Sequence, residues 1–258
     1  ELQDNSPEPA SRVTSPDSNP ENEDGGGHAT HVAGTMIAKG ITPTAKGMAP
    51  DANLVSYDTQ NLESEIIYET GTNGLLISNH SWGYPIFVTQ GSNEIQQFNA
   101  NEIGTYTNRS RARDLIAYSA PYYLEVVSAG NEGGKEYEGG LANNYDKLTG
   151  NKVSKNNLVV ANASNPLIHP NGSGELLSIS IHYSSSQGPA DDGRIKPDIS
   201  GDGVSLYSST STSDASYSSK TGTSMAAPNV AGTLLLLQQY YNELNGNFMK
   251  ASTLKGLA

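Results

Sequence analysis

The chain has 258 residues, with 27 acidic against 15 basic side chains, a formal charge of −12 and an isoelectric point near 4.7. This length suits one α/β domain, and so acidic a surface repels phosphate backbones and anionic membranes, which argues against nucleic acid as a partner. There is no cysteine, which excludes disulfides, thiol catalysis and cysteine-bound zinc, and no apolar run reaches the roughly 18–20 residues of a membrane span.

In chain order, residues 1–24 are polar and rich in Pro, Ser, Asn and acids, predicting an extended surface segment. Val32, Ala33, Met36 and Ile37 recur at helical spacing behind the glycines Gly25–Gly27 and predict a helix from His28 to about Lys39. A strand is expected over Ala52–Tyr57, a helix over Leu62–Thr70 and a short buried strand over Gly74–Ser81. Then come a helix over Arg111–Ala120, buried strands over Leu124–Ser128 and Leu158–Asn162, and a more exposed strand over Leu176–Tyr183. Residues 205–219 are mostly Ser, Thr, Tyr and Asp and predict a solvated loop or hairpin. The last long helix is expected from Ser224 towards Asn245, with residues 249–258 helical again. Short apolar strands alternating with helices predict an α/β fold whose mostly parallel central sheet is covered on both faces.

In such sheets functional residues collect beyond the carboxyl ends of the strands. Three segments fall there: Ser81-Trp82-Gly83, Ala129-Gly130-Asn131-Glu132-Gly133, and the turn Gly222-Thr223-Ser224. Ser224 stands at a helix start, where unpaired N–H groups and the helix dipole favour an anion. An N-cap serine would read the same way. A serine nucleophile needs a base, and imidazole is the usual one. His28, at a helix start among small residues, is the best placed of the five histidines. His28 and His31 at a spacing of three could instead hold a metal, but the glutamate of the zinc helix and a third ligand are missing, and His31 reads as a buried core histidine. Asn131 ends an apolar strand and can aim an amide N–H at a reacting carbonyl, although Asn-Glu-Gly is also an ordinary turn sequence.

Taken together, Gly-His-Ala-Thr-His-Val-Ala-Gly-Thr (27–35), Ser-Ala-Gly-Asn-Glu-Gly (128–133) and Gly-Thr-Ser-Met-Ala-Ala-Pro-Asn-Val-Ala-Gly (222–232), in this order, resemble the subtilisin-like serine proteases. Ala29 replaces a glycine of the usual histidine motif. Ala45–Pro50, Asn79–Gly83 and Gly193–Ile199 add to the resemblance, which runs from about Ala29 to Gly246. It implies a three-layer subtilisin-like fold and a serine endopeptidase working through an acyl-enzyme. Ser224 would be the nucleophile, and His28 the general base and then general acid. Asn131 and the Ser224 N–H would form the oxyanion hole, supported by Thr223. Ser81, Trp82 and Gly83 would bind the substrate as an added strand, with Ala129 and Gly130 on the opposite wall. Such chemistry needs no cofactor. The resemblance also makes structural calcium plausible, with Asp191, Asp192 and Asp202 in suitable loops but no specific ligand pattern. It further implies a protein or peptide substrate, a monomer, and a secreted or cell-surface location.

The same family orders its triad Asp, His, Ser, and no aspartate ahead of His28 ends an apolar strand. Asp4 and Asp17 lie in polar surroundings, and Asp24 stands only four residues before His28. The expectation is a single domain over residues 1–258 that is a fragment. The strand bearing the aspartate would lie before Glu1 and the last helices would be cut. Such a piece would be weakly active or inactive. The alternative is a non-catalytic, peptide-binding pseudoprotease.

Overall fold

Leu124–Ser128 and Leu158–Ala163 are buried along their whole lengths, so they pair at the centre of a sheet with both faces covered. The computed structural model describes residues 1–3, 10–17, 26–140, 145–164 and 166–258. Asp4 and Asp24 lie outside them. In chain order the elements are β1 (Val13–Thr14), α1 (His28–Ile37), β2 (Leu54–Val55), α2 (Leu62–Tyr68), β3 (Ile77–His80), β4 (Phe87–Gln90) and β5 (Asn93–Gln96). Then follow α3 (Asn108–Ser119), β6 (Leu124–Ser128), β7 (Leu158–Ala163), β8 (Leu167–Ile168) and β9 (Leu176–Ser178). Last come β10 (Ile199–Asp202), β11 (Leu206–Ser209), β12 (Tyr217–Lys220), α4 (Thr223–Asn245) and α5 (Ala251–Leu257).

The central sheet has the order β10-β7-β6-β3, and every pair in it is parallel. Residues alternate faces along a strand, so Leu124, Val126, Leu158 and Val160 meet Ala227, Val230 and Leu234 of α4 on one side. On the other face, Val159 packs with Leu148, Val153 and Ala190, and Leu62 and Ile66 of α2 join Ile116 of α3. The result is the expected three-layer α/β fold. Gln238 closes the α4–α5 corner, its side chain accepting from the N–H of Met249 and donating to its carbonyl, at 2.8 and 3.0 Å.

Three expectations change. The opening segment is more than a surface strand. Arg12 is buried and donates to the carbonyls of Glu1, Gln3, Ile37 and Ala52, while Val13–Thr14 pairs with β2. Ala52–Tyr57 yields only Leu54–Val55, and Leu176–Tyr183 only Leu176–Ser178, in a hairpin with β8 outside the central sheet. The fourth strand of the central sheet is instead Ile199–Asp202, whose Ser-Gly-Asp stretch carries no apolar run.

The β1–β2 pair stands apart from the central sheet, and β3 pairs only with β6 among the described residues. Between Leu54–Val55 and Ile77–His80 lies a cleft of about 280 Å³, flanked by Met36 of α1 and Leu235 of α4.

Candidate active site

Helices α1 and α4 pack against each other. The far end of α1 is held by Arg12, which donates to the Ile37 carbonyl at 2.6 Å. The start of α4 lies beyond the end of β10, where a Cβ on Gly203 would come within 2.6 Å of the Gly222 carbonyl. The helices pack through Gly232, where a Cβ would stand 3.3 Å from the Met36 carbonyl and 2.7 Å from Met48 Cβ. Met36 is eight residues beyond His28 and Gly232 eight beyond Ser224, about 12 Å along each axis. His28 and Ser224 thus lie at like distances along their helices from that contact, while His28 is not among the residues lining the cavity beside Ser224.

Ser224 is clamped by a sequence device at its helix start. Pro228 lies one turn on and has no N–H to give the Ser224 carbonyl. Ser81, which follows β3, supplies the missing donor: its hydroxyl bonds to the Ser224 carbonyl at 2.8 Å. The Ser224 hydroxyl donates to the Ser81 carbonyl at 3.1 Å in return. Among the described residues the Ser224 N–H has no acceptor, as expected in a first helical turn.

The opposite wall comes from the end of β6. Gly130 takes φ +106°, and its N–H donates to Thr223 Oγ1 at 3.0 Å. Asn131 Oδ1 accepts from the Thr223 N–H at 2.9 Å and from its hydroxyl at 3.1 Å. With the oxygen side of the amide occupied, its Nδ2 is left as the free end. Gly222, at φ 158° and ψ 167°, occupies a region open essentially to glycine. A Cβ there would stand 3.2 Å from Asn131 Oδ1, so any larger residue would push the amide away.

Ser81, Trp82, Gly83, Gly130, Asn131, Thr223 and Ser224 line a common cavity of about 320 Å³. Ala129 does not. It is fully buried on the other face, against Leu148 and Val159, because residues alternate sides and Ser128 and Gly130 take the cavity side. Sequence reasoning also missed Pro85, Phe87, Glu132, Lys135 and Lys152, which with Ser128 complete the walls. Glu132 adjoins Asn131 in the recognised motif and was within reach. Lys152 lies in a stretch with no motif.

The remaining candidates separate clearly. His31 is fully buried, with Nε2 at 3.0 Å from the Leu206 carbonyl and 3.1 Å from that of Ser218. Burial lowers its pKa, so it is a neutral Nε2–H donor that ties α1 to β11 and β12, as a core histidine should. Asp17 accepts from the Asp58 N–H at 2.6 Å and lies beside Glu65. Asp191 accepts from the Thr105 hydroxyl, Asp192 pairs with Arg194, and Asp202 accepts from the Val204 N–H. The last three carboxylates form no common ligand cluster among the described residues. A larger apolar cavity of about 900 Å³, lined by Ile67, Leu115 and Phe248, contains none of the site residues.

A helix-start serine set beside a strand-end asparagine, in a cavity at the end of a covered parallel sheet, defines an α/β protein with a serine-centred site. Residues 3–257 match the subtilase family model, and the chain belongs to that family of serine proteases. It is 27% identical over 228 residues to subtilisin DY of Bacillus licheniformis, which covers 88% of this chain and 68% of that protein. Over 76 residues it is 43% identical to the C5a peptidase of Streptococcus pyogenes, 30% of this chain but 6% of that protein. Among solved structures, the prenylagaramide maturation protease PagA superposes with a TM-score of 0.63 at 18% identity, covering 95% of this chain and 74% of that one. A cold-adapted subtilisin-like serine proteinase does so at 0.56 and 21%, covering 95% and 73%. No helix among the described residues is long and apolar enough to cross a membrane.

Proposed function

We propose that this chain is the peptidase domain of a serine endopeptidase in which Ser224 attacks the scissile carbonyl and His28 takes and returns the proton. The observation that carries this reading is the reciprocal pair of hydrogen bonds between Ser81 and Ser224, with Asn131 fixed beside it by Thr223. Attack requires the serine hydroxyl to turn from the Ser81 carbonyl to the imidazole. The tetrahedral oxyanion then meets the Ser224 N–H and Asn131 Nδ2. A side-chain amide in that role contributes about 2.7–4 kcal/mol, a value measured in subtilisin itself. The backbone of Ser81–Gly83 receives the substrate as an added strand. The chemistry calls for no cofactor, and we place the protein outside the cell or on its surface, as a monomer acting on peptides.

For the acid that orients His28, we favour an aspartate on an extended segment seated between β2 and β3. The cleft there has on one side the edge of β3 that is unpaired among the described residues, and β2 on the other. Asp17 is already committed to the Asp58 N–H. In subtilisin the loss of this acid alone lowers kcat by about 3 × 10⁴. The test is labelling by a fluorophosphonate, with the modified residue located by mass spectrometry. Labelling confined to Ser224 and accompanied by casein hydrolysis supports the reading. A protein that binds peptides in the cleft yet never labels is the pseudoprotease instead.

A further inference from the structure

Lys152 is a charged residue with 3% of its surface exposed, yet it lines the cavity beside Ser224. Its ammonium sits between the two walls. A Cβ on Gly83 would stand 3.0 Å from Lys152 Cε and 3.3 Å from Nζ, and one on Gly130 would stand 3.1 Å from Nζ. Glycine at both positions is what admits the side chain. The turn that carries it, Gly150–Val153, is anchored on α3, where Ser110 Oγ donates to the Gly150 carbonyl at 2.7 Å. Among the described residues Lys152 Nζ has no hydrogen bond and no ion pair.

The other charges of the cavity are already engaged. Glu132 accepts from the Ile86 and Phe87 N–H groups at 2.7 and 2.9 Å, and Lys135 pairs with Glu94. Burial pushes the Lys152 ammonium down to about 8, with Glu132 opposing the shift. A buried cation whose facing carboxylate, Glu132, is turned to two backbone amides and does not bond it directly gains from a further opposite charge that can. Resting on the reading of Ser224 above, we propose that Lys152 makes this cavity select an acidic side chain, glutamate or aspartate, in the residue whose carbonyl is attacked. The substrate carboxylate would complete the ion pair that the fold leaves open.

The test compares Ala-Ala-Pro-Glu with its neutral isostere Ala-Ala-Pro-Gln. Binding at pH 7 is read by fluorescence anisotropy on the protein and on Lys152→Met, with fluorophosphonate labelling run in parallel. A charge-assisted hydrogen bond predicts at least about tenfold tighter binding of the glutamate peptide, falling to within about twofold in Lys152→Met. Equal binding of the two peptides, or a preference that survives in the variant, overturns the proposal. A merely structural lysine would lower the stability of the variant and leave the ratio unchanged. If labelling fails while the ratio holds, the hydrolytic reading falls and the pocket assignment stands. Should Lys152→Met fail to fold, the unmodified protein decides. Glu132 and Lys135 are the other charged groups on the cavity wall, and the glutamate preference should fade as rising pH takes the proton from Lys152.

Discussion

Two cavities of similar volume flank the end of β3, and Trp82 lines both. The one beside Ser224, about 320 Å³, has polar walls whose groups are mostly engaged: Ser81 with Ser224, Thr223 with Asn131, Glu132 with two backbone amides. The one between β2 and β3, about 280 Å³, is edged by strand backbone that, among the described residues, pairs with nothing across it. The first is a finished recess that awaits a substrate. The second is a gap in a sheet, where an open strand edge invites pairing. Volume does not distinguish them; the state of their hydrogen-bonding groups does.

Substitutions should separate the two sharply. Ser224→Ala is expected to lower turnover by about 10⁶-fold, as loss of the nucleophile does in subtilisin, while the melting temperature stays put; a large drop in melting temperature would make the seryl hydroxyl a structural group. Asn131→Ala should reduce kcat by about 10²–10³ with little change in KM, and a loss confined to KM would remove it from the oxyanion hole. On the wall of the second cavity the expected effect is on stability. Burial beside Arg113 pushes His80 down to about 3. The folded protein then holds His80 neutral while the unfolded chain takes up a proton below about 6.5. Stability is therefore fully present above that value and is lost as pH falls from 6.5 towards 3, by about 1.4 kcal/mol per unit. Denaturant melts of His80→Asn should lose this slope, and an unchanged slope would assign it to other groups.

Hydrogen exchange offers a gentler comparison of the same two regions. Amides of β3 should exchange faster than those of β6, which is paired on both sides; equal protection would mean that the cleft is already bridged. The smallest effect is expected at Ala129. Ala129→Val should cost about 1–3 kcal/mol by overpacking while leaving KM within about twofold, whereas a large rise in KM would return Ala129 to the substrate wall.

The parallel sheet and the site were legible where chemistry imposes a pattern. Val126-Val127 and Val159-Val160 are continuous apolar runs because both faces of those strands are covered. The Gly222-Thr223-Ser224 turn could be found because its geometry demands glycine next to Asn131. What escaped follows other rules. Ile199–Asp202 is held by its place beside β7 rather than by hydrophobicity. Arg12 looks like a solvated charge until four carbonyls converge on it. Ala129 was assigned to the wrong wall because a motif gives neighbours in sequence, whereas a strand sends adjacent side chains to opposite faces. Lys152 escaped because its meaning depends on Gly83 and Gly130, far from it in the chain.

The proline one turn below Ser224 makes the nucleophile answerable to the whole chain. Its carbonyl takes its hydrogen bond from the residue after β3, 143 positions earlier, a contact that carries a loop-closure cost and forms only once distant parts have met. A growing or half-folded copy therefore has the seryl hydroxyl but not its setting. An enzyme that cuts exposed polypeptide is safest when its own assembly is the last step in arming it, and here a single missing N–H writes that order into the sequence.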